Sequence, residues 1–266
     1  MVKLATKRYS RICVWILVLF LFLSMGLTGA LASIDSENQI TGFKPLMLHS
    51  VAYYEAVCGP PEIANEGKNY NQKLEEKLLN LSDEELKELV KEHLLSVIER
   101  KKQGESLVWD KEFVEQIVKT YLPDLYPVIT EQMGQDSGPG ILIDGRREEP
   151  IHLNYTPGNK TKNYVVYGKH WTGYNLWGFW CRMYWAWDST KITTVLPSTW
   201  GEIYDPTWVY DGIAAHEERF INPQSYFKWV KGQFHNYVPQ NRYPWHEITV
   251  YAGRTDSWRS GIDGGV

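Results

Sequence analysis

Residues 177–187 read Trp-Gly-Phe-Trp-Cys-Arg-Met-Tyr-Trp-Ala-Trp. Every second side chain, starting with the first, is apolar, and the side chains between them are of mixed character. This period of two indicates a β-strand with one face buried in a sheet. Because aromatic rings bury more area than other side chains, we expect the apolar face to form the centre of the core. The apolar positions are Trp177, Phe179, Cys181, Met183, Trp185 and Trp187.

The sequence around this stretch is aromatic and has the composition of a β protein. Ten of the twelve tryptophans lie within residues 171–258. The short polar loop at residues 188–190 predicts a hairpin between the strands on either side of it. Several short strands with turn residues between them favour an antiparallel β-sandwich or an open barrel. The predicted strands are 164–171, 176–187, 191–196, 208–213, 226–236 and 245–252.

The region before residue 133 is charged and helical in character. Ser82 and Glu85 have the spacing of a capping box, which predicts that a helix begins after Ser82. Apolar residues follow at helical spacing, and the predicted helix ends near Gln103 and Gly104. A further helix is predicted over residues 109–121. The 16 acidic and 10 basic residues between positions 62 and 132 are typical of the solvated faces of amphipathic helices.

The predicted fold class is therefore α+β. We expect an N-terminal segment with a helical bundle over residues 33–133, a linker over 134–162, and an aromatic-rich antiparallel β-sandwich over 163–266. Within the linker, the apolar residues 141–143 indicate a short edge strand.

Residues 1–32 have the pattern of a secretory signal peptide. Four basic residues precede an apolar run over residues 12–23, and the small-residue pattern Ala30-Leu31-Ala32 follows, which predicts cleavage after Ala32. The alternative is an uncleaved anchor, since residues 12–32 carry no charge and are long enough to span a bilayer. Both alternatives predict that the rest of the chain lies outside the cell.

Charge and cysteine content narrow the classes of partner. Loss of the four basic residues of the leader moves the net charge from −4 to −8, which argues against nucleic acid as a partner. Cys58 and Cys181 remain after cleavage, and an even pair in an exported chain predicts one disulfide. The alternative is two unpaired thiols. Two thiols without CxxC spacing do not predict a zinc site.

Three Asn-x-Ser/Thr sequences, at Asn80, Asn154 and Asn159, are candidate glycosylation sites in an exported protein. Asn154 and Asn159 lie in a polar loop, whereas Asn80 lies at a predicted helix junction and is expected to be less accessible.

No short catalytic, phosphate-binding or dinucleotide-binding motif occurs, so the sequence predicts no cofactor. Glycoside hydrolases have no short signature, because their paired carboxylates come from separate strands. The carboxylates considered for such a pair are Glu202, Asp205, Asp211 and Glu247. His216-Glu217-Glu218 could suggest a metal site, but neighbouring residues on a strand point to opposite faces, and a loop is predicted there.

Aromatic residues on the mixed face of residues 177–187 are the strongest indication of a binding function. Flat rings beside hydrogen-bonding groups can stack on sugars or anchor protein interfaces. The alternative is that a second layer covers this face and that its rings are core residues. The binding candidates are Trp180, Arg182 and Tyr184, with Trp208 and Tyr210 near an adjoining loop.

Two functions are consistent with these features. The first is an exported, non-catalytic binding module that recognises a glycan or a surface protein. The second is a secreted hydrolase, such as a glycoside hydrolase, with the helical segment as an accessory or pro-region.

Overall fold

The computed structural model describes residues 49–59, 77–78, 80–105, 107–134, 141–144, 154–236 and 240–264. The predicted signal peptide lies outside these residues. Two antiparallel sheets, a few helices and several aromatic clusters make up the described structure, which is consistent with a β-sandwich. Among the described helices, none combines the length and the apolar character that crossing a bilayer requires.

Ten strands form the two sheets. In chain order they are β1 (Tyr53–Cys58), β2 (Leu107–Trp109), β3 (Ile141–Asp144), β4 (Gly158–Lys169), β5 (Asn175–Trp187), β6 (Ile192–Ile203), β7 (Trp208–Asn222), β8 (Ser225–Asn236), β9 (Gln240–Tyr251) and β10 (Asp256–Gly264). The first sheet has the order β2-β1-β4-β5-β6, and the second has the order β3-β10-β9-β8-β7.

Several sequence-based predictions are confirmed by this topology. β5 and β6 pair as an antiparallel hairpin, and β3 is an edge strand that pairs with β10. β1 and β2 come from the predicted helical segment and β3 comes from the predicted linker, so both segments supply strands to the sheets. The domain bounds themselves stay predictions. β10 was not predicted.

Between β1 and β3, the described residues form three longer helices, with β2 between the first and the second. The first is α1 (Asp83–Lys102), and the last is α3 (Tyr126–Gly134). Between them, α2 has three consecutive parts: the α-helical Lys111–Phe113, the π-helical Val114–Val118 and the α-helical Lys119–Tyr121.

The start and the end of α1 confirm the sequence-based prediction. The hydroxyl of Ser82 accepts a hydrogen bond from the Glu85 amide, and the Glu85 carboxylate accepts one from the Ser82 amide at 2.8 Å. After Lys102 the chain turns at Gly104, whose φ of 89° lies in the left-handed region. The helix predicted over 109–121 begins later than expected, because Trp109 belongs to β2 and the Asp110 carboxylate caps α2.

Helices α1 to α3 pack on the outer side of the first sheet at its β1–β2 end, where "outer" means the side that faces away from the other sheet. Tyr53, Trp109 and Trp171 are buried there against apolar residues of the helices. An ion network also joins α2 to the second sheet: Arg242 of β9 donates from Nε to the buried Asp110 at 3.1 Å and from a terminal nitrogen to the partly exposed Glu112 at 2.6 Å. Buried charges are tolerated only when they are paired, so this network ties β9 to α2.

The main core lies between the two sheets, on their inner sides. All six apolar positions of the 177–187 stretch belong to it, as predicted from the sequence. The ring of Phe179 lies against Gly232 of β8 in the opposite sheet, and a Cβ atom at Gly232 would be only 2.6 Å from a ring carbon. Phe179 therefore occupies space that exists only because residue 232 has no side chain.

The predicted disulfide is wrong, because Cys58 and Cys181 are both free thiols. Tyr164 of β4 pairs with Cys58 of β1 on one side and with Cys181 of β5 on the other. The two cysteines are thus two strands apart, which is about 9–10 Å at the usual strand spacing. A disulfide requires Cα atoms within about 7 Å.

Gly232→Ala should destabilise the protein by about 1–3 kcal/mol, because the new methyl group overlaps the Phe179 ring and the sheets must move apart. Gly59→Ala is the matched control, since a Cβ atom there would meet nothing within 4 Å. Denaturant unfolding of the two variants measures the difference. Equal stabilities of both variants and the unmodified protein would contradict the close Phe179–Gly232 contact.

Candidate functional site

Trp180 is fully buried, which corrects the expectation that its ring is open to a ligand. It lies opposite Val165 on one neighbouring strand and Trp200 on the other. Its indole stacks on that of Trp200, with ring centroids 5.8 Å apart and planes within 4°, and Tyr167 meets it edge-on. These apolar neighbours, together with Tyr204, form a cluster on the outer side of the first sheet.

Arg182 and Tyr184 lie beside this cluster and keep solvent-exposed surface. The Arg182 guanidinium is 5.5 Å from the centre of the Trp200 ring, and its Nε donates to Asn163 at 2.9 Å. Tyr184 lies opposite Leu196, which is 61 % exposed. A binding role for Arg182 and Tyr184 stays a prediction.

Trp208 and Tyr210 point to the inner side of β7 instead of forming a surface with Arg182. Trp208 is buried, with its ring centre 6.1 Å from that of Trp177. Tyr210 is half-buried, and its ring lies 4.9 Å from that of Phe234. Both rings therefore contribute to the core between the sheets.

The four carboxylates considered for a hydrolase are held by separate partners. These are Trp200 and Tyr204 for Glu202, His49 and Thr207 for Asp205, His235 for Asp211, and Arg259 for Glu247. Burial raises the pKa of Asp205, but hydrogen bonds from His49 and Thr207 outweigh it and hold that pKa below its usual value. A general acid requires the opposite shift.

His216-Glu217-Glu218 lies within β7 and not in the predicted loop. The register places His216 and Glu218 on the inner side and Glu217 on the outer side, as strand alternation requires. Among the described residues, no three His, Cys, Asp or Glu side chains are grouped closely enough to hold a metal ion.

Cys181 lies near polar groups, but it is not poised as a nucleophile. Burial raises the pKa of its thiol to about 11, although the Lys228 ammonium acts in the opposite direction. Because the thiolate is the reactive form, the thiol is inert at neutral pH. Lys228 itself pairs with Glu218 at 3.0 Å.

His246 is a fully buried histidine whose two ring nitrogens are both engaged. The Phe179 carbonyl can only accept, so Nε2 donates to it at 2.9 Å, and Nδ1 accepts from the Ser260 hydroxyl at 2.7 Å. The ring also stacks on Phe179 at 5.3 Å. This arrangement joins the two sheets and leaves no nitrogen for a substrate.

The stability of the protein should depend on pH because His246 is buried in its neutral form. Burial lowers its pKa to about 4, whereas an unfolded histidine titrates near about 6.5. As the pH falls between these values, the unfolded chain binds a proton that the folded chain does not, and the free energy of unfolding loses about 3 kcal/mol. The stability advantage of the unmodified protein over His246→Gln should therefore shrink from about pH 7 to about pH 4.

The half-buried His93, whose pKa is also lowered to about 4, is present in both proteins and cancels in this comparison. Denaturant unfolding of both proteins at a series of pH values measures their difference in stability. A difference that does not change with pH would contradict the lowered pKa of His246.

The outer side of the second sheet carries an unusual number of aromatic side chains. In β8 and in residues 241–251 of β9, the even-numbered residues are buried and the odd-numbered residues point outward. Of the outward residues, Ser225 is buried, Asn241 is exposed, and the other ten are half-buried. Outward positions of an antiparallel sheet are ordinarily polar, yet five of these ten are aromatic. We call these five the outer aromatic face: Phe227, Trp229, Tyr243, Trp245 and Tyr251.

Charged side chains lie among these rings, and ion pairs connect them. Lys231 pairs with Asp263 and lies 5.8 Å from the centre of the Trp229 ring. Arg259 donates to Glu247 from Nε at 3.0 Å and from a terminal nitrogen at 2.5 Å. The face thus combines half-buried rings with hydrogen-bonding groups held in fixed positions.

Two further pairs flank this arrangement on its β7 side. Arg219 pairs with Glu217, and its guanidinium lies 4.8 Å from the centre of the Phe227 ring. His235 and Asp211 are joined by a contact of 2.8 Å.

Sequence reasoning did not single out the outer aromatic face, although residues 225–251 carry the signal for it. Read with a period of two, Phe227 and Trp229 alternate with residues that fill the core, and Trp245 does so on the next strand. The register of β8 and β9 separates the two sets.

The candidate glycosylation sites Asn80, Asn154 and Asn159 are all exposed. The exposure of Asn80 corrects the expectation that it is less accessible than the other two. Modification at any of the three stays a prediction.

Comparison with known proteins adds no assignment. No protein-family model matches the chain, and searches of curated proteins and of solved structures found no match.

Proposed function

We propose that this chain is an exported, non-catalytic binding module whose ligand contacts the outer aromatic face. One observation carries the proposal: five of the twelve outward positions on β8 and β9 are aromatic and only half-buried. Ordinary sheets place polar residues at such positions, because a ring that stays partly in water gains less from folding than a core ring does. Exposed aromatic residues beside hydrogen-bonding groups are typical of binding surfaces.

The leader supports a role outside the cell. Its basic start, apolar run and small residues before Ser33 direct the folded part to the extracellular side, either released after cleavage or held by an uncleaved anchor. The structure in this proposal is an aromatic-rich β-sandwich with a small helical layer. A surface-binding role fits that location, and the partner class is a glycan or a surface protein.

The alternative, a secreted hydrolase, has less support. The considered carboxylates lie in separate hydrogen-bond arrangements, and the pKa of Asp205 is shifted away from that of a general acid. The buried His246 is committed to contacts between the sheets.

Trp229→Ala and Trp245→Ala should each weaken binding to the ligand by about tenfold or more, because each removes an aromatic anchor that contacts the ligand directly. Binding of the purified full chain to cell-wall material and to a set of purified polysaccharides measures the effect. Neither substitution should prevent folding, since both side chains point away from the core.

Tyr184→Ala is the matched control, because it removes a half-buried aromatic ring from the outer side of the other sheet. We expect this variant to bind as the unmodified protein does. If Tyr184→Ala loses binding and both tryptophan variants keep it, the ligand binds at Arg182 and Tyr184 and not at the outer aromatic face.

A further inference from the structure

We infer that the ligand of the outer aromatic face is an uncharged polysaccharide. This inference depends on the proposed binding function and names the chemical class of its ligand. It is carried by three features of the face: the balance of its charges, the arrangement of its tryptophans, and an available hydrogen-bond acceptor between them.

The charges around the two tryptophans on the outer side of β7 to β10 balance in number and are paired. Three carboxylates meet three basic side chains, in the pairs Glu217–Arg219, Lys231–Asp263 and Glu247–Arg259. The other charged residue among the described outward positions is Asp211 at the β7 edge, and its partner is His235, which is charged only when protonated. A polyanion or polycation would have to break one of the three pairs around the tryptophans to gain a partner there.

The tryptophans alternate with the charged groups across the two central strands. Trp229 lies directly opposite Glu247, and Lys231 lies directly opposite Trp245. The two indoles are therefore diagonal neighbours, with Cα atoms about 7–8 Å apart. A ligand that stacks on both must be extended and must present apolar faces along its length, and a chain of linked sugar rings has both properties.

Glu247 supplies a hydrogen-bond acceptor between the rings. Arg259 directs both of its hydrogen bonds to Oε1 of Glu247, and no described residue donates to Oε2. The side chain of Glu247 is 33 % exposed. A sugar hydroxyl can donate to Oε2 without disturbing the ion pair, so an uncharged, hydroxyl-rich chain fits this position.

The test is a binding experiment with the full chain at low and high salt. The probes are uncharged polymers (cellulose, chitin and a β-glucan) and charged polymers (polygalacturonate, heparin and chitosan). We expect retention on at least one uncharged polymer, with an affinity that changes less than about twofold when NaCl rises from about 20 mM to about 500 mM, because no ions are released on binding. Trp229→Ala should lower that affinity about tenfold or more, and Leu95→Ala, which shortens an exposed side chain of α1, should leave it unchanged.

Two other outcomes would overturn the inference, and they differ in what they leave standing. In the first outcome, the protein binds only to a charged polymer, and the affinity falls about tenfold or more with salt and still depends on Trp229. The ligand is then charged, and the outer aromatic face is still the binding site. In the second outcome, Trp229→Ala and Trp245→Ala do not affect binding, or the protein is retained on no polymer and on no cell-wall material. That result contradicts the proposed function as well.

Discussion

The contact of Phe179 with Gly232 is the constraint on which the two-sheet arrangement depends. The ring extends from the centre of the first sheet to the backbone of the second, and only a glycine leaves room for it. On the same residue, the backbone carbonyl accepts the hydrogen bond of the buried His246, whose ring stacks on that of Phe179. Packing and polar contacts at one residue therefore fix how the sheets face each other.

This constraint decides which surfaces remain for function. Each sheet turns one side to the core and the other side outward, so a sandwich has two outer sides. On the first sheet, helices pack over the β1–β2 end, and the cluster around Trp180 is buried. On the second sheet, β8 and β9 pack against their neighbours in the sheet and against strands of the first sheet on their inner sides. The aromatic residues on their outer sides are thus the largest set of half-buried rings that core packing does not explain.

The sequence allowed prediction of those features that depend on local periodicity or capping. The apolar side of residues 177–187, the hairpin that follows, the capping box of α1 and the edge strand β3 are of this kind. Features that depend on the order of strands could not be predicted. A period of two identifies the two sides of β5, but it cannot show that Trp200 covers Trp180, or that Tyr164 separates Cys58 from Cys181.

Strand length was also underestimated where composition is polar. β7 continues to Asn222 through residues that are exposed on both sides, and its register shifts at three positions. The charges and bulges of such an edge strand protect it from pairing with other chains, and they also hide its periodicity in the sequence. The pairing of charges among the outer rings could likewise not be predicted from the sequence, because it depends on the register of β9 and β10, which brings Glu247 and Arg259 together.

The most direct test of the division between a filled interior and an open outer face is tryptophan oxidation, located by mass spectrometry of the native protein. The account predicts rapid oxidation of Trp229 and Trp245, and protection of the buried indoles of Trp177, Trp180, Trp185 and Trp208 until the protein unfolds. Slow oxidation of Trp229 and Trp245, at rates like those of the buried indoles, would contradict the claim that the outer aromatic face is open.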